Sequence, residues 1–309
     1  MAVYVFAGKG GVGKTTSSAA FAVLLAERLG RRVLVASIDP AHNLGDVLGV
    51  ELGGEPRRVW RNLYAAEVDY EAVVERYMSG LTEKLSYLYR HLKAFNLEGT
   101  LRVMRYAPGV EENAVLEELL RMLRSGGGFD DIVIDPPPTG MLLRILSLPL
   151  SALQWVRGLM RLRMEILKRR RMIVNATGEE IRVRLGGEEY VLPSSPGDDP
   201  VYKELAGLEE TYREAIERLV KGSTIILVIN PETLPLLEAE RTYRFLKSIG
   251  ARVGGVVVNK YREEGRRVLE EARSFFKEEP FATIPLLPRE PRGIDRLREV
   301  AARLEALLP

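Results

Sequence analysis

The fold of this chain is decided by the stretch Gly8-Lys9-Gly10-Gly11-Val12-Gly13-Lys14-Thr15-Thr16. It follows the apolar run Ala2 to Ala7, opens a helical pattern from Thr15 to Leu29, and satisfies the P-loop pattern G-x-x-x-x-G-K-[ST]. In such a loop the glycines let backbone N–H groups surround phosphate oxygens, and the helix adds its partial positive charge. A glycine-rich turn without a ligand is the alternative, which the flanking strand and helix disfavour. We therefore predict that this loop binds a nucleotide, with Lys14 on the β- and γ-phosphates and Thr15 on Mg²⁺.

Composition limits the classes of protein to which the chain can belong. Its 309 residues are 46% hydrophobic and 28% charged, which is typical of a soluble globular protein with one large or two ordinary domains. A net charge of +2 gives no reason to expect a nucleic acid partner. The sequence has no cysteine, which excludes disulfides, thiolate metal sites and thiol catalysis. No apolar run approaches about 18 residues and no leader precedes the first strand, so we expect a cytoplasmic protein without a membrane span.

Short Val- and Ile-rich runs alternate with helical patterns along the chain. Continuous apolar runs separated by helices indicate a parallel sheet with helices on both faces. We therefore predict a doubly wound, mostly parallel α/β fold that binds its ligands at the carboxyl ends of the strands. The predicted strands are Val3 to Ala7, Val33 to Ile38, Asp131 to Ile134, Ile225 to Ile229, Val253 to Val258 and Phe281 to Ile284, with a further candidate at Val103 to Tyr106.

Two carboxylates follow predicted strands. Asp39 can orient and deprotonate a water beside the γ-phosphate, although an aspartate here can equally cap a turn or a helix. Asp135 ends the buried run that begins at Asp131, and a carboxylate in this position typically acts on Mg²⁺ directly or through water. We therefore predict a metal site made by Thr15, Asp39 and Asp135.

Three motifs together resemble the ArsA family of ATPases, which includes the arsenite-pump ATPase and the targeting factor for tail-anchored membrane proteins. They are the P-loop with its second lysine, the switch I word Asp39-Pro40-Ala41-His42-Asn43-Leu44-Gly45-Asp46, and the switch II word Asp135-Pro136-Pro137-Pro138-Thr139-Gly140, which continues into a helix. The P-loop is similar to the deviant Walker A motif of dimeric P-loop NTPases. Pro136 and Pro137 replace the family's usual Thr-Ala, and two extra prolines should stiffen the switch. A structural role in the loop is the preferred interpretation of His42.

The resemblance implies Mg²⁺-dependent hydrolysis of ATP by a homodimer. It implies that Lys9 contacts phosphates bound by the other subunit and, with Lys14, stabilises charge during hydrolysis. It also implies that Asp39 is the catalytic carboxylate and that Asn43 faces the nucleotide. Asn259 would pair with adenine; the alternative for this asparagine is a loop-capping role. Further contacts with adenine are expected from Pro285, Leu286, Leu287 and Pro288.

The segment after switch II combines apolar and basic side chains. A long helical pattern runs from Ser151 to Ile173, and the stretch from Met141 to Met172 holds half of the chain's eight methionines. Flexible thioethers suit a surface that accepts varied apolar ligands, but packing between helices has equal weight from composition alone. The resemblance implies that these helices form the groove for a hydrophobic client, and the basic cluster reads as a solvated face. The predicted groove residues are Leu153, Val156, Met160, Met164 and Leu167.

We predict one ATPase domain over residues 1–309, with a helical insertion that binds the client at residues 70–102 and 141–200. The segment Ile181 to Leu192 alternates around Gly186-Gly187, which predicts a β-hairpin. A two-residue turn would pair Val183 with Tyr190 and Arg184 with Glu189. Other helices are predicted over residues 70–105, 111–123, 201–220 and 295–308.

Three functions are compatible with these motifs. The first is a targeting chaperone, in which ATP opens and closes a dimer that binds the transmembrane helix of a tail-anchored protein and delivers it to a membrane receptor. The second is a ParA/MinD-like spatial organiser that binds DNA or membrane, which the switch I word and the Met-rich region disfavour. The third is an ATP-gated scaffold for an unrelated partner. An arsenite pump is disfavoured because binding the metalloid needs cysteines, and for the same reason no zinc is expected.

Overall fold

The computed structural model describes residues 1–40, 43–88, 107–185 and 188–309 of the chain. His42, the candidate strand Val103 to Tyr106 and the predicted turn Gly186-Gly187 lie outside these ranges. The helical pattern predicted over residues 70–105 is described as far as Leu88.

In the described ranges, ten strands form two sheets. They are β1 (Ala2–Ala7), β2 (Val33–Ser37), β3 (Arg57–Trp60), β4 (Leu63–Glu67), β5 (Asp131–Asp135), β6 (Arg182–Leu185), β7 (Glu188–Val191), β8 (Ser223–Ile229), β9 (Arg252–Tyr261) and β10 (Phe281–Pro285). The larger sheet has the order β10-β9-β8-β1-β5-β2-β4-β3. Its neighbouring strands are parallel except for β3 and β4, which are antiparallel. The predicted mostly parallel sheet is confirmed, because all six strands expected from the Val- and Ile-rich runs belong to it.

Helices cover this sheet and form the insertion between β5 and β8. They are α1 (Lys14–Arg28), α2 (Leu44–Leu48), α3 (Tyr70–Leu88), α4 (Val110–Ser125), α5 (Thr139–Thr177), α6 (Pro200–Ala215), α7 (Thr233–Ser248), α8 (Arg266–Phe275) and α9 (Ile294–Ala301). A π-helical turn (Ile216–Lys221) joins α6 to β8.

The C-terminal helix is shorter than predicted. It ends at Ala301, and a 3₁₀ turn (Glu305–Leu307) follows instead of the expected helix to Leu308. The turn contacts β10 and brings the Leu307 side chain beside Gly255 of β9. Burial of the last leucines against the sheet therefore decides where the helix ends.

The two faces of the sheet carry separate apolar cores. Val3 and Val5 of β1 belong to the cluster that packs with α3, α4 and the start of α5. Tyr4 and Phe6, which alternate with them, belong to the cluster that packs with α1 and α9. Since both faces of β1 are buried, its sequence reads as a continuous apolar run.

Two strands at one side of the sheet, β4 and the edge strand β3, were not predicted from the sequence. β3 begins with two exposed arginines, Arg57 and Arg58, which is how edge strands commonly avoid pairing with another chain. β4 reads Leu-Tyr-Ala-Ala-Glu, in which the alanines weaken the β-propensity signal. Its pairing with β2 is therefore a consequence of tertiary packing.

The small second sheet is the predicted hairpin. β6 and β7 pair Val183 with Tyr190 and Arg184 with Glu189, as the two-residue turn requires. Arg182 of the hairpin lies close to Glu180 and Glu189.

The most extended element is α5, which has 39 residues and therefore a length of about 58 Å. It joins the switch II helix and the Met-rich helical pattern into one helix that continues through Pro149. By length and composition alone, the helix is long and apolar enough to cross a membrane. Its most apolar window of 18 residues has a mean hydropathy of 1.2, and 33% of that window is buried inside the protein. No span was expected from the sequence, because charged side chains interrupt the apolar run. The first turns of α5 pack into the core of the sheet through Leu142, Ile145 and Leu146.

A buried carboxylate holds α5 against α6. Asp199 caps the N-terminus of α6 by accepting a hydrogen bond from Tyr202 N–H at 2.6 Å. Its two oxygens also accept from Arg163 Nε at 3.0 Å and Nη2 at 2.6 Å. Burial alone would raise the pKa of Asp199, but the hydrogen bonds from Arg163 and Tyr202 outweigh it and hold the pKa below its ordinary value.

Replacing this carboxylate should destabilise the helical insertion. Asp199→Ala removes a helix cap and a charge-assisted pair, so we expect the free energy of unfolding at pH 7 to fall by roughly 2–4 kcal/mol. A larger loss is not expected because Arg163 keeps 21% of its side chain exposed and can be solvated. Urea unfolding followed by circular dichroism measures this change.

Asp198→Ala is the matched control, because Asp198 is exposed and its carboxylate accepts only from Ser195 Oγ among the bonds resolved here. It should change stability by less than about 0.5 kcal/mol.

Because the pKa of Asp199 is lowered in the folded protein, its contribution to stability is present above the unfolded pKa of about 4 and is lost as the pH falls through the folded pKa. Equal stability of Asp199→Ala and the unaltered protein at pH 7 would contradict the assignment.

Candidate active site

A cavity of about 480 Å³ opens at the carboxyl ends of the central strands. Its walls are the P-loop, α2, Pro138 at the end of switch II, the end of β9 and the loop after β10. This volume is within the usual range for sites that bind small molecules. A doubly wound sheet places its ligand site at this edge.

The P-loop has the backbone that its glycines permit. Gly11 and Gly13 adopt φ angles of 80° and 95°, which L side chains rarely tolerate. A Cβ on Gly13 would lie 2.2 Å from Asn259 Nδ2, so this glycine also allows a close approach. Gly10, Gly11, Gly13, Lys14, Thr15 and Thr16 line the cavity, whereas Gly8, Lys9 and Val12 do not.

Lys14 and Asp39 meet at the phosphate end of the cavity. Lys14 Nζ lies 3.5 Å from Asp39 Oδ2, and only 5% of the Lys14 side chain is exposed. The Asp39 N–H donates to Ser37 Oγ at 3.3 Å, which ties the start of switch I to the end of β2. Asn43, beyond the undescribed residues of this switch, also lines the cavity.

Asp135 lies directly behind Thr15 and is fully buried. Its Oδ2 accepts from Thr15 Oγ1 at 2.8 Å and from Ser37 Oγ at 3.1 Å. Its Oδ1 is buried and has no hydrogen-bond partner in the described part of the chain. Burial raises the pKa of Asp135 to about 6, against the hydrogen bond from Thr15 and the charge of Lys14.

The unpaired oxygen of Asp135 and the Thr15 hydroxyl are suitable for a hard cation. Carboxylate and hydroxyl oxygens are the ligands that Mg²⁺ prefers, and a cation beside Asp135 would favour its charged form.

Ser37, which donates to Asp135, was not predicted as a site residue. Its position two residues before Asp39, at the end of a predicted strand, was the signal available.

Lys9 points away from this cavity. Its side chain is 60% exposed, and its Nζ lies 3.7 Å from Glu238 Oε2 on α7. The structure therefore does not bring Lys9 together with Lys14 and Asp39. Its ammonium group is presented at the surface beside the P-loop.

Asn259 and Lys260 brace the P-loop from the end of β9. Asn259 Nδ2 donates to Val12 O at 2.7 Å, and Lys260 Nζ donates to Gly11 O at 2.7 Å. Lys260 has a φ angle of 56°, an unusual conformation for a lysine that directs it to the loop. One amide hydrogen of Asn259 is thus already used, although the residue does line the cavity. The brace by Lys260 was not predicted from the sequence.

The loop after β10 forms another wall of the cavity, with Leu286 and Leu287 beside the charged Arg289, Glu290 and Arg292. Of the four residues expected near adenine, Pro285, Leu286 and Leu287 line the cavity, and Pro288 does not.

The five predicted groove residues do not share one exposed surface. Leu153, Val156 and Leu167 are buried where α5 packs along α6, so they are not available to a ligand in this conformation. Met160 is half-buried and Met164 is exposed. The residues were chosen for apolar character at helical spacing, and that spacing describes the face of α5 that packs inside the protein.

Alanine should be tolerated at one glycine of the P-loop and not at another, because only one of them is strained and crowded. Gly13→Ala places a Cβ on Asn259 at a φ angle of 95°, so we expect nucleotide affinity to fall at least about tenfold, as for a loss of 1.4 kcal/mol. Titration with a fluorescent ADP analogue measures the dissociation constant. Gly10→Ala is the control, because a Cβ there meets no described atom within 4 Å. Equal affinities of the two variants would contradict this description of the loop.

Comparison with known proteins identifies the family of the chain. A family model described as anion-transporting ATPase matches residues 1–306. A protein of Aquifex aeolicus named as an arsenical pump-driving ATPase is 29% identical over 313 residues, which cover 97% of each chain. ATPase GET3 of Chaetomium globosum is 30% identical over 320 residues, which cover 96% of this chain and 88% of the relative. A protein of Chlorobaculum tepidum, also named as an arsenical pump-driving ATPase, is 36% identical over 264 residues, which cover 84% of this chain and 61% of the relative. The chain therefore belongs to the ArsA family of ATPases, and it binds nucleotide and hydrolyses ATP.

Proposed function

We propose that this ATPase works as a homodimer that binds the transmembrane helix of a tail-anchored protein and delivers it to a membrane. The observation that carries the proposal is an exposed apolar stripe on α5. Trp155 is 74% exposed, Leu159 47% and Leu162 60%, and the three lie on one helical face. We call the set Trp155, Leu159, Leu162, Ile166 and Ile173 the α5 stripe.

The α5 stripe has the dimensions of its proposed ligand. From Trp155 to Ile173 it extends about 27 Å along the helix, close to the roughly 30 Å of hydrocarbon that a transmembrane helix crosses. Large exposed apolar surfaces are rare on soluble domains and commonly mark binding sites. A client helix would cover the stripe in the helix-in-groove mode.

One continuous helix connects the nucleotide site to the stripe. Pro138 lines the cavity, and α5 begins at the next residue, Thr139. Near its start, Arg144 Nε donates to Glu112 Oε1 of α4 at 2.6 Å. A displacement of switch II would therefore move α5 together with α4. We interpret residues 70–102 and 141–200 as the client-binding subdomain of a single ATPase domain.

The proposed chemistry uses the residues gathered at the phosphate end. Asp39 orients the attacking water and accepts its proton, and Lys14 stabilises negative charge on the phosphates. Thr15 and Asp135 hold Mg²⁺, which when bound neutralises charge on the phosphate oxygens. We infer that Lys9, which is exposed beside the loop, contacts phosphates bound by the other subunit of the dimer.

The alternatives named from the sequence have less support. Arsenite transport would need cysteines, which the sequence lacks. A spatial organiser that binds membrane through a C-terminal amphipathic helix is disfavoured because α9 buries Leu297 and Val300 in the core that it shares with α1. We propose that the protein is cytoplasmic and acts at a membrane through a receptor.

Charge introduced into the α5 stripe should abolish client capture. With Leu159→Asp or Leu162→Asp, we expect crosslinking to a peptide bearing a C-terminal transmembrane helix to fall at least about tenfold, because a carboxylate must then be buried against the client. ATP hydrolysis should stay unchanged, since both side chains are exposed and remote in sequence from the cavity. Crosslinking yields are compared with ADP and with ATP.

Gln154→Asp is the matched control, because Gln154 is an exposed residue of the same helix outside the stripe. It should capture the peptide as well as the unaltered protein does. Absence of capture in every nucleotide state, with ATP hydrolysis intact, would refute the targeting function.

A further inference from the structure

The carboxylate of Glu67 holds the first turn of α2 from outside the cavity. Its Oε1 accepts from Leu44 N–H at 3.1 Å, and its Oε2 accepts from Gly45 N–H at 3.2 Å. Both N–H groups belong to the N-terminus of a helix, where the unpaired donors and the helix dipole favour a negative charge. Glu67 is the last residue of β4, and its register partner on β2 is Ser37, which donates to Asp135.

Gly45 provides the space that this carboxylate occupies. A Cβ at position 45 would lie 3.1 Å from Glu67 Oε2 and 2.9 Å from Val50 O. Contacts below 3.4 Å are tighter than nearly all real Cβ contacts, so any larger residue here would displace Glu67 or the turn after α2. The glycine and the carboxylate are therefore matched parts of one arrangement.

The other end of α2 is attached to the end of the loop after β10. Gly293 N–H donates to Val47 O at 2.9 Å, and Gly49 packs against Gly293. Between these two attachments, Asp46 and Val47 line the cavity. The helix is thus a wall of the nucleotide site that is held at both ends.

We propose that Glu67 is a positioning residue for ATP hydrolysis, which acts through switch I without touching the nucleotide. Switch I runs from Asp39 to Asp46, and Glu67 fixes its second half, where Asn43 lines the cavity. Asp39 at the other end is tied to Ser37 on the neighbouring strand. The end of β2 therefore holds the start of the loop that carries the catalytic carboxylate, and the end of β4 holds its second half.

Because Glu67 does not line the cavity, its loss should affect the rate of hydrolysis more than the affinity for nucleotide. In Glu67→Gln, an amide donor replaces one acceptor and faces a backbone N–H, so one of the two hydrogen bonds is lost. We expect kcat to fall about tenfold or more, with a larger fall for Glu67→Ala. The dissociation constant of a fluorescent ADP analogue should stay within about twofold, which is under 0.5 kcal/mol.

Steady-state hydrolysis, ADP titration and thermal unfolding of the full chain test the proposal together. Glu51→Gln is the control, because Glu51 is an exposed acid that follows the turn after α2, and it should leave all three quantities unchanged. A fall in kcat with unchanged ADP affinity and melting temperature supports a positioning role. An unchanged kcat in Glu67→Gln, or parallel losses of affinity, melting temperature and kcat, would overturn it. The outcome is independent of client binding, which none of these measurements involves.

Discussion

The structure depends on one buried carboxylate. Asp135 at the end of β5 accepts hydrogen bonds from Thr15, at the start of α1, and from Ser37, at the end of β2. Through these bonds it joins the P-loop, the strand before switch I and switch II, all of which come from different parts of the chain. Burying a charge is costly, and its raised pKa reflects that cost. A cation at its unpaired oxygen would offset the cost, so ligand binding and the order of the three motifs are linked.

Helix α5, which begins four residues after this carboxylate, is buried at its start and exposed farther along. Its first turns bury Leu142 and Ile145 in the core of the sheet, whereas Trp155 and Leu162 are exposed farther along. Next to Leu162, the pair of Arg163 with Asp199 secures the packing of α5 against α6. A helix held at its base and along one face would move together with those contacts. This is the physical argument behind the proposed link between the nucleotide state and the exposure of an apolar surface.

Switch I is restrained by residues that lie outside the motif itself. Ser37 and Glu67, at the ends of two adjacent strands, accept backbone N–H groups at the start and in the middle of the switch. Gly293 attaches the far end of α2 to the loop after β10. In the proposed mechanism switch I places a carboxylate near a phosphate, and supports on strands would make that placement more precise. The unpredicted strand β4 supplies one of these supports.

The sequence alone determined the parts of this protein that depend on short-range patterns. The P-loop, the six Val- and Ile-rich strands and the pairing of Val183 with Tyr190 follow from local spacing, because backbone periodicity and turn length act over a few residues. Tertiary structure decided which side of α5 is buried, since its apolar residues occupy two faces and only contact with α6 distinguishes them. It also decided the strand β4, the use of Glu67 and the bond from Lys260 to Gly11 O. Each of these joins residues distant in sequence, and nothing in local spacing specifies which distant groups will meet.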